Sequence, residues 1–174
     1  MLQTRTNLLQ TSSAVFSSCG SYRYRLQREI GPGEKTLLFI GLNPSTADEE
    51  KNDPTVERIE RRAKAMGFGR ISVCNIFAYR ATDPQVMKGQ PFPVGPENDA
   101  AILEEARKAD LVLCAWGIHG CHLNRGREVE KLLRNAGIPL HCLGRNHDGS
   151  PKHPLYIGYD RIPVRWEKSG NISY

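Results

Sequence analysis

The sequence lacks several features that would place it in a specialised class of protein. Its 174 residues contain no apolar run near the ~20 residues that a membrane-spanning helix needs. The N-terminal stretch MLQTRTNLLQTSSAVFSS has no continuous apolar core of the kind that a signal peptide carries. No internal repeat, low-complexity block or long linker is present. We therefore expect one domain spanning 1–174, located in the cytoplasm and without membrane contact.

Cysteine is scarce, and its five residues include no CxxC pair. Cys74, Cys114 and Cys142 fall in apolar, strand-like runs, where a free thiol behaves as a small hydrophobic group. This pattern suits a reducing compartment. A chain of this length can bury a core without a disulfide or a metal, and we expect no cofactor.

Positively charged residues are in modest excess over negatively charged ones. The net charge is +5, with 25% charged and 39% hydrophobic residues. The composition is that of a globular protein rather than a disordered one. The positive charge favours an anionic partner such as DNA or a nucleotide, and the sequence leaves the oligomeric state open.

Apolar runs alternate with helical patterns through the middle of the chain. A first helix is predicted between Asp53 and Gly67, since Asp53 can cap it and Pro54 suits its first position. Two further helices are predicted at 98–109 and 128–136. Buried strands are predicted at 36–42, 70–77, 111–116 and 139–143.

This alternation predicts a three-layer α/β/α fold with a central, mainly parallel four-stranded sheet, whose core spans 36–156. An N-terminal strand or hairpin should precede it. Residues 1–15 are polar and aperiodic, so we expect a frayed start. SYRYRLQREI alternates, which predicts a half-exposed strand with Arg23 and Arg25 on the side opposite Leu26.

Polar side chains follow all four predicted strands. Because ligands of such folds bind beyond the carboxyl ends of the strands, we expect these side chains to meet at one edge of the sheet. In chain order they are Asn43, Ser45, Asn75, Tyr79, Arg80, Trp116, Gly117, Arg145, Lys152 and His153.

Asn43 stands at the end of the first buried strand, in front of Pro44. The proline restricts the backbone of Asn43, so its amide is held in one place. A rigid amide has both donors and an acceptor and can orient a water or a carbonyl group. The alternative is that Asn43 only caps a turn.

Four segments in the same order resemble motifs of the uracil-DNA glycosylase superfamily. GLNPS resembles the first active-site motif of its mismatch-specific branch, and CNIFAYRATDP resembles a segment of its thermophilic branch. LVLCAWG is similar to a strand that ends in Trp-Gly, and KHPLY to a late His-Pro motif. The chain also resembles a bacterial and phage family of unassigned function with a GLNPSTAD…DPT signature.

The resemblance implies a uracil-DNA-glycosylase-like fold and hydrolysis of the N-glycosidic bond of a base, as in DNA repair or modification. Asn43 would orient the attacking water, Asn75 would read the base edge, and His153 would stabilise the departing base. The remaining residues would bind the substrate, through the backbone, the base or the phosphates. They are Gly41, Leu42, Pro44, Ser45, Thr46, Asp48, Phe77, Tyr79, Arg80, Trp116, Gly117, Arg145 and Lys152.

The match departs from the superfamily at several positions. Ser45 and Leu155 differ from the usual residues, and no aromatic residue lies between 45 and 53 to stack on a base. Phe77 or Tyr79 would have to supply the stacking. No cysteine set matches an iron–sulfur site. A modified base or a free nucleotide is therefore also a possible substrate.

Two other functions fit the same residues. The first is a catalytically silent module that binds nucleotides or nucleic acid. The second is a metal-assisted hydrolase that uses Asp48, Asp53 and the histidines, although CAWGIHGCH matches no common zinc pattern. The arginines at 58, 61 and 62 alternate with glutamates, which is typical of a solvated helix face.

Overall fold

The computed structural model describes residues 1–7 and 11–167, which form one mixed sheet flanked by helices. The strands in this part of the chain are β1 Leu2–Asn7, β2 Ser12–Ser17, β3 Arg23–Glu29, β4 Thr36–Gly41, β5 Arg70–Asn75, β6 Leu111–Cys114, β7 Leu140–Cys142 and β8 Val164–Arg165. The α-helices are α1 Pro54–Ala65, α2 Pro84–Lys88, α3 Asn98–Lys108 and α4 Arg125–Asn135. Short 3₁₀ segments cover Ile118–Asn124 and Pro154–Tyr156.

The sheet confirms the α/β class but differs from the predicted four-stranded, mainly parallel sheet. Its eight described strands run in the order β1-β2-β3-β5-β4-β6-β7-β8. Pairing is parallel between β5 and β4, β4 and β6, and β6 and β7, and antiparallel in the four other pairs. Antiparallel strands can be added through short connections, without a crossover helix. Short connections of this kind join β1 to β2 and β2 to β3, whereas β3 and β8 pair antiparallel with strands that lie further away in the chain.

Helices cover both faces of the sheet, as the continuous apolar runs predict. On one face, Val56, Ile59 and Ala63 of α1 pack against a cluster that includes Phe39 and Val73. On the other face, α3 and α4 pack against the side chains that point the opposite way. That cluster contains Leu38, Ile40, Cys74, Ile102, Ala106, Val129 and Leu133.

The N-terminal part of the chain is more ordered than its pattern predicts. The strands β1 and β2 occupy much of the segment that we expected to be frayed, and they pair antiparallel. Their polar residues alternate weakly, so the ordering comes from the pairing of β1 with β2 and of β2 with β3 rather than from local sequence.

The strand β3 is more buried than the half-exposed strand that the alternation predicts. Phe16 pairs with Arg23 while Val15 pairs with Arg25, so Tyr24 is an extra residue on β3. Such a β-bulge re-aims side chains. Both Arg23 and Tyr24 are consequently buried, although simple alternation would place them on opposite faces.

The predicted start of α1 is confirmed. The Asp53 carboxylate accepts a hydrogen bond from the Val56 N–H at 2.9 Å, and Pro54 is the first helical residue. The α3 helix begins at Asn98, as the predicted range does, and the Asn98 side chain does not cap it. Its side-chain amide donates instead to the carbonyl oxygens of Asn75 and Ile76, at 2.9 and 3.1 Å. Asn98 thereby holds the end of β5 in place.

The positions of the cysteines and the lengths of the helices can be compared with the predictions of buried thiols and of no membrane-spanning helix. Cys74, Cys114 and Cys142 are buried free thiols, as their apolar surroundings predict, while Cys19 and Cys121 are exposed. Over residues 1–7 and 11–167, every helix is too short or too polar to traverse a bilayer.

Candidate functional site

A cleft of about 790 Å³ opens at the carboxyl ends of the parallel strands. A volume of this size is typical of small-molecule sites. Its wall combines the ends of β4, β5 and β6, the start of α1 and the loop around His153. The cleft brings together nine of the predicted site residues, namely Gly41, Leu42, Asn43, Ser45, Asn75, Trp116, Gly117, Lys152 and His153.

Two backbone carbonyl groups fix the orientation of the Asn43 side-chain amide. Its Nδ2 donates to the carbonyl oxygen of Ala81 at 2.7 Å and to that of Pro44 at 3.2 Å. Because both partners are acceptors, the amide nitrogen must face them. Oδ1 is therefore the atom left to accept a hydrogen bond from a ligand or a water.

Asn75 is nearly fully buried and still has a donor to offer. Within the described part of the chain, its Nδ2 is inaccessible to solvent and has no hydrogen-bond partner. Gly41 lies beside it on the neighbouring strand, where a Cβ would stand 2.9 Å from Asn75 Oδ1. A glycine at 41 is therefore what admits the amide to the cleft. An unpaired buried donor is costly, and an acceptor on a ligand would remove that cost.

His153 is a neutral imidazole with a defined tautomer. Its Nδ1 accepts a hydrogen bond from the backbone N–H of Leu155 at 3.3 Å. Burial lowers the pKa of His153 below 6.5, against the opposing effect of Asp53. Because Nδ1 is the acceptor, the ring proton of the neutral form lies on Nε2, which is thus a donor.

Gly117 allows the His153 segment to approach the third parallel strand. Its φ is 71°, in a region that side chains disfavour, and a Cβ there would lie 3.3 Å from His153 Cβ. The Gly117 N–H donates to the Pro151 carbonyl oxygen at 2.9 Å, which links the two segments.

Two arginines of α1 hold the segment that follows His153, which corrects the prediction of a solvated helix face. Arg58 donates from Nε to the Pro154 carbonyl and from Nη2 to the Ile157 carbonyl, at 3.3 and 3.0 Å. Arg62 is buried and donates to the carbonyl oxygens of Arg161, Ile157 and Gly158. The exposed Arg61 pairs with Glu57 and alone fits the prediction.

Arg23 lines the cleft and was not among the predicted site residues. It is 2% exposed, and its Nη1 donates to the Ala47 carbonyl oxygen. Burial lowers its pKa to about 10, while the negative charge of Asp53 acts in the opposite direction. The guanidinium is therefore cationic at neutral pH. The polar alternation around Arg23 concealed its burial, which depends on the bulge at Tyr24.

Several predicted residues lie outside the cleft lining and have structural partners. Phe77 is buried with its ring centre 5.6 Å from that of His122, and Tyr79 packs edge-on against Tyr22. The Arg80 guanidinium lies over the Phe16 ring at 5.0 Å. The others are Pro44, which is buried, Thr46 and Arg145, which are exposed, and Asp48.

The cleft has aromatic side chains other than the two that we predicted for stacking. Phe39, Trp116 and Tyr156 line it, while Phe77 and Tyr79 do not. Phe39 and Trp116 are buried, whereas Tyr156 is almost fully exposed at the mouth. Tyr156 therefore offers a ring face that a ligand can reach.

The two aspartates proposed for metal-assisted hydrolysis have other roles. Asp48 accepts hydrogen bonds from the N–H groups of Glu50 and Lys51, and these bonds outweigh burial and lower its pKa. Asp53 caps α1. Among the described residues, no three His, Cys, Asp or Glu side chains are arranged to hold a metal ion.

Comparison with known families adds a classification. A family described as protein of unknown function (DUF1643) matches residues 23–155. The chain belongs to this family. No curated protein and no solved structure matches the chain.

The DUF1643 match begins at Arg23 and ends at Leu155, so it covers nearly the whole lining of the cleft. Tyr156 and Ile157 are the lining residues beyond it. The strands β1, β2 and β8 also lie outside the matched residues. The family region and the cleft thus largely coincide.

Proposed function

We propose that this protein hydrolyses the N-glycosidic bond of a base, in DNA or in a free nucleotide. The observation that carries the proposal is the convergence of Asn43, Asn75 and His153 on one cleft. They supply an oriented acceptor, an unpaired buried donor and a neutral ring donor. These are the groups that a water, a base edge and a departing base would need.

In the proposed reaction, the base occupies the cleft with Asn75 Nδ2 donating to an acceptor on its edge. Oδ1 of Asn43 accepts a hydrogen bond from a water and orients it towards C1′ of the sugar. As the C1′–N bond breaks, its electron pair moves onto the base. The water oxygen then bonds to C1′, and the proton that it loses neutralises the base anion, so that the products are the sugar with a hydroxyl at C1′ and the neutral free base.

His153 would act on the departing base. Its Nε2–H can donate to an oxygen or nitrogen on which negative charge develops, and a donor placed in advance stabilises that charge. A neutral imidazole adds no positive charge beside the cation-like sugar. Since an amide is a weak base, the rate enhancement would come from positioning and electrostatics.

A second candidate is a binding module without catalysis. The observation in its favour is that Asp53, the carboxylate in the cleft lining, is engaged as the cap of α1. A cleft whose carboxylate is engaged in this way can bind a nucleotide without cleaving it. This candidate predicts binding without base release and, for DNA, an affinity that falls with salt.

The test is base release from single- and double-stranded oligonucleotides carrying uracil, mismatches or modified pyrimidines, and from the corresponding nucleotides. We expect release by the wild type and a loss of about a hundredfold in Asn43→Ala. Asn52→Ala removes an exposed asparagine outside the cleft lining and serves as the control.

Release that is equal in wild type and a folded Asn43→Ala would contradict the assigned role of Asn43. No release from any substrate, with binding retained, would favour the binding module. The double variant Asn43→Asp with His153→Ala should release no base while keeping its fold.

A further inference from the structure

The inner end of the cleft, which we define by Arg23, Phe39, Val56, Val73 and Asn75, contains two unpaired donors. All five residues are buried, although all line the cleft. Over the described residues, neither Nε of Arg23 nor Nδ2 of Asn75 has a hydrogen-bond partner. Both donors belong to side chains that are more than nine-tenths buried.

The charge of Arg23 is only partly balanced by its neighbours. No carboxylate of the described chain lies within 4.0 Å of its guanidinium nitrogens, although Asp53 is close enough to raise its pKa. Arg80 and Arg28 act in the opposite direction. A buried charge is costly unless it is paired, so the empty inner end favours a ligand that brings negative charge.

The other three side chains of the inner end are apolar. Phe39, Val56 and Val73 line the inner end together with the two donors, both of which are inaccessible to solvent. In such a setting a hydrogen bond from a guanidinium to an anion is stronger than at the surface. The mixture of a cation, an amide donor and apolar walls is suited to an oxyanion on a flat ligand.

We propose that the inner end binds an anionic oxygen of the ligand, held by the guanidinium of Arg23 and the amide of Asn75. The inference deepens the proposed function and rests on it, because it assigns a charged group to the nucleotide or base in the cleft. The oxyanion belongs either to a carboxylate on the base, which Asn75 then binds as part of the base edge, or to the phosphate of a free nucleotide, in which case Asn75 donates to the phosphate instead of to the base. Arg23 thereby determines which ligands are accepted.

Titration calorimetry with three probes tests the proposal: inorganic phosphate, 5-carboxyuracil and neutral uracil. We expect at least one anionic probe to bind more tightly than uracil. Arg23→Gln should weaken that binding by about tenfold to a hundredfold, in line with a charged hydrogen bond. Phosphate binding would identify a nucleotide phosphate, and selective binding of 5-carboxyuracil an acidic base.

Two further variants keep the test decisive if Arg23→Gln does not fold. Gly41→Ala places a methyl group 2.9 Å from both Asn75 Oδ1 and Phe39 Cε1, so it displaces the amide and the neighbouring ring while Arg23 itself is unchanged. Asn75→Asp puts a negative charge at the same place. Both should weaken anion binding, whereas Arg61→Gln, which removes an exposed charge on α1, should not.

The inference is overturned if neither anionic probe binds, or if binding is unchanged in the folded Arg23, Gly41 and Asn75 variants. Its failure is distinct from that of the proposed function. Arg23-dependent anion binding without base release would refute hydrolysis and retain the subsite. Base release that Arg23→Gln leaves unchanged would refute the subsite and retain hydrolysis.

Discussion

Glycines permit backbone contacts at individual residues that no side chain would allow. Gly69 and Gly33 cross so closely that a Cβ on Gly69 would lie 1.5 Å from the Gly33 carbonyl oxygen. This crossing adjoins the start of β5, since Gly69 N and Arg70 N both donate to the Lys35 carbonyl. It therefore helps to align β4 with β5, the strands that end in Gly41 and Asn75.

We predict that Gly69→Ala lowers the free energy of unfolding by about 3 kcal/mol, because the two backbones must move apart. Gly67→Ala is the matched control. Unlike Gly69, Gly67 has a positive φ, of 80°, but nothing lies within 4 Å of its added Cβ. It should lose only about 1 kcal/mol, from backbone strain. Urea unfolding measures both changes, and equal losses would contradict the role of the crossing.

Among the elements of the fold, the helix α1 contacts both the sheet and the segment that contains His153. One face of the helix is buried against β4 and β5, and its start forms part of the cleft. Arg58 and Arg62 extend from the helix to the carbonyl oxygens of the segment 154–161. The position of His153 therefore depends on α1 as well as on its own loop.

We predict that Arg62→Gln lowers the free energy of unfolding by about 2 kcal/mol, because it removes a buried cation whose charged hydrogen bonds hold three carbonyl groups of this segment. Arg61→Gln, one residue earlier, should change it by only about 0.5 kcal/mol, since exposed ion pairs contribute little. Thermal unfolding compares the two variants. A similar loss in both would show that the segment is held by other contacts.

The whole molecule combines a net charge of +5 with two histidines, His141 and His153, whose pKa values are lowered. The pKa of His141 is lowered by burial and by Arg165, as that of His153 is by burial. The structure thus disfavours the protonated form of both rings. Carboxylates with lowered pKa, such as Asp48 and Asp148, change the free energy of unfolding only at more acidic pH.

We predict that stability falls as the pH decreases from 7 towards 5. Below the ordinary histidine pKa of 6.5, the unfolded chain takes up protons that the folded chain does not, so the free energy of unfolding decreases. The loss ends once the pH is below the lowered pKa values. Chemical unfolding at several pH values measures the slope.

His141→Gln and His153→Gln should each flatten this slope, while His147→Gln, at an exposed position, should leave it unchanged. A slope that persists in the double variant of His141 and His153 would mean that other groups cause it.

Local patterns in the sequence were enough to predict the inner strands, α1 and the position of the cleft. The apolar runs at 36–42 and 70–77 correspond to β4 and β5, and Asp53-Pro54 marks the start of α1. These features depend on residues that are neighbours in the chain. The same reasoning brought Asn43, Asn75 and His153 to one edge of the sheet.

The tertiary structure decided which side chains face the cleft. Arg23 is buried because β3 pairs with β2 through a bulge, and Phe77 and Tyr79 pack against His122 and Tyr22 instead of lining the cleft. The order of β1 and β2 and the role of Arg62 likewise depend on partners distant in sequence. Side-chain direction follows strand register and loop docking, which are non-local, so periodicity within one segment does not determine it.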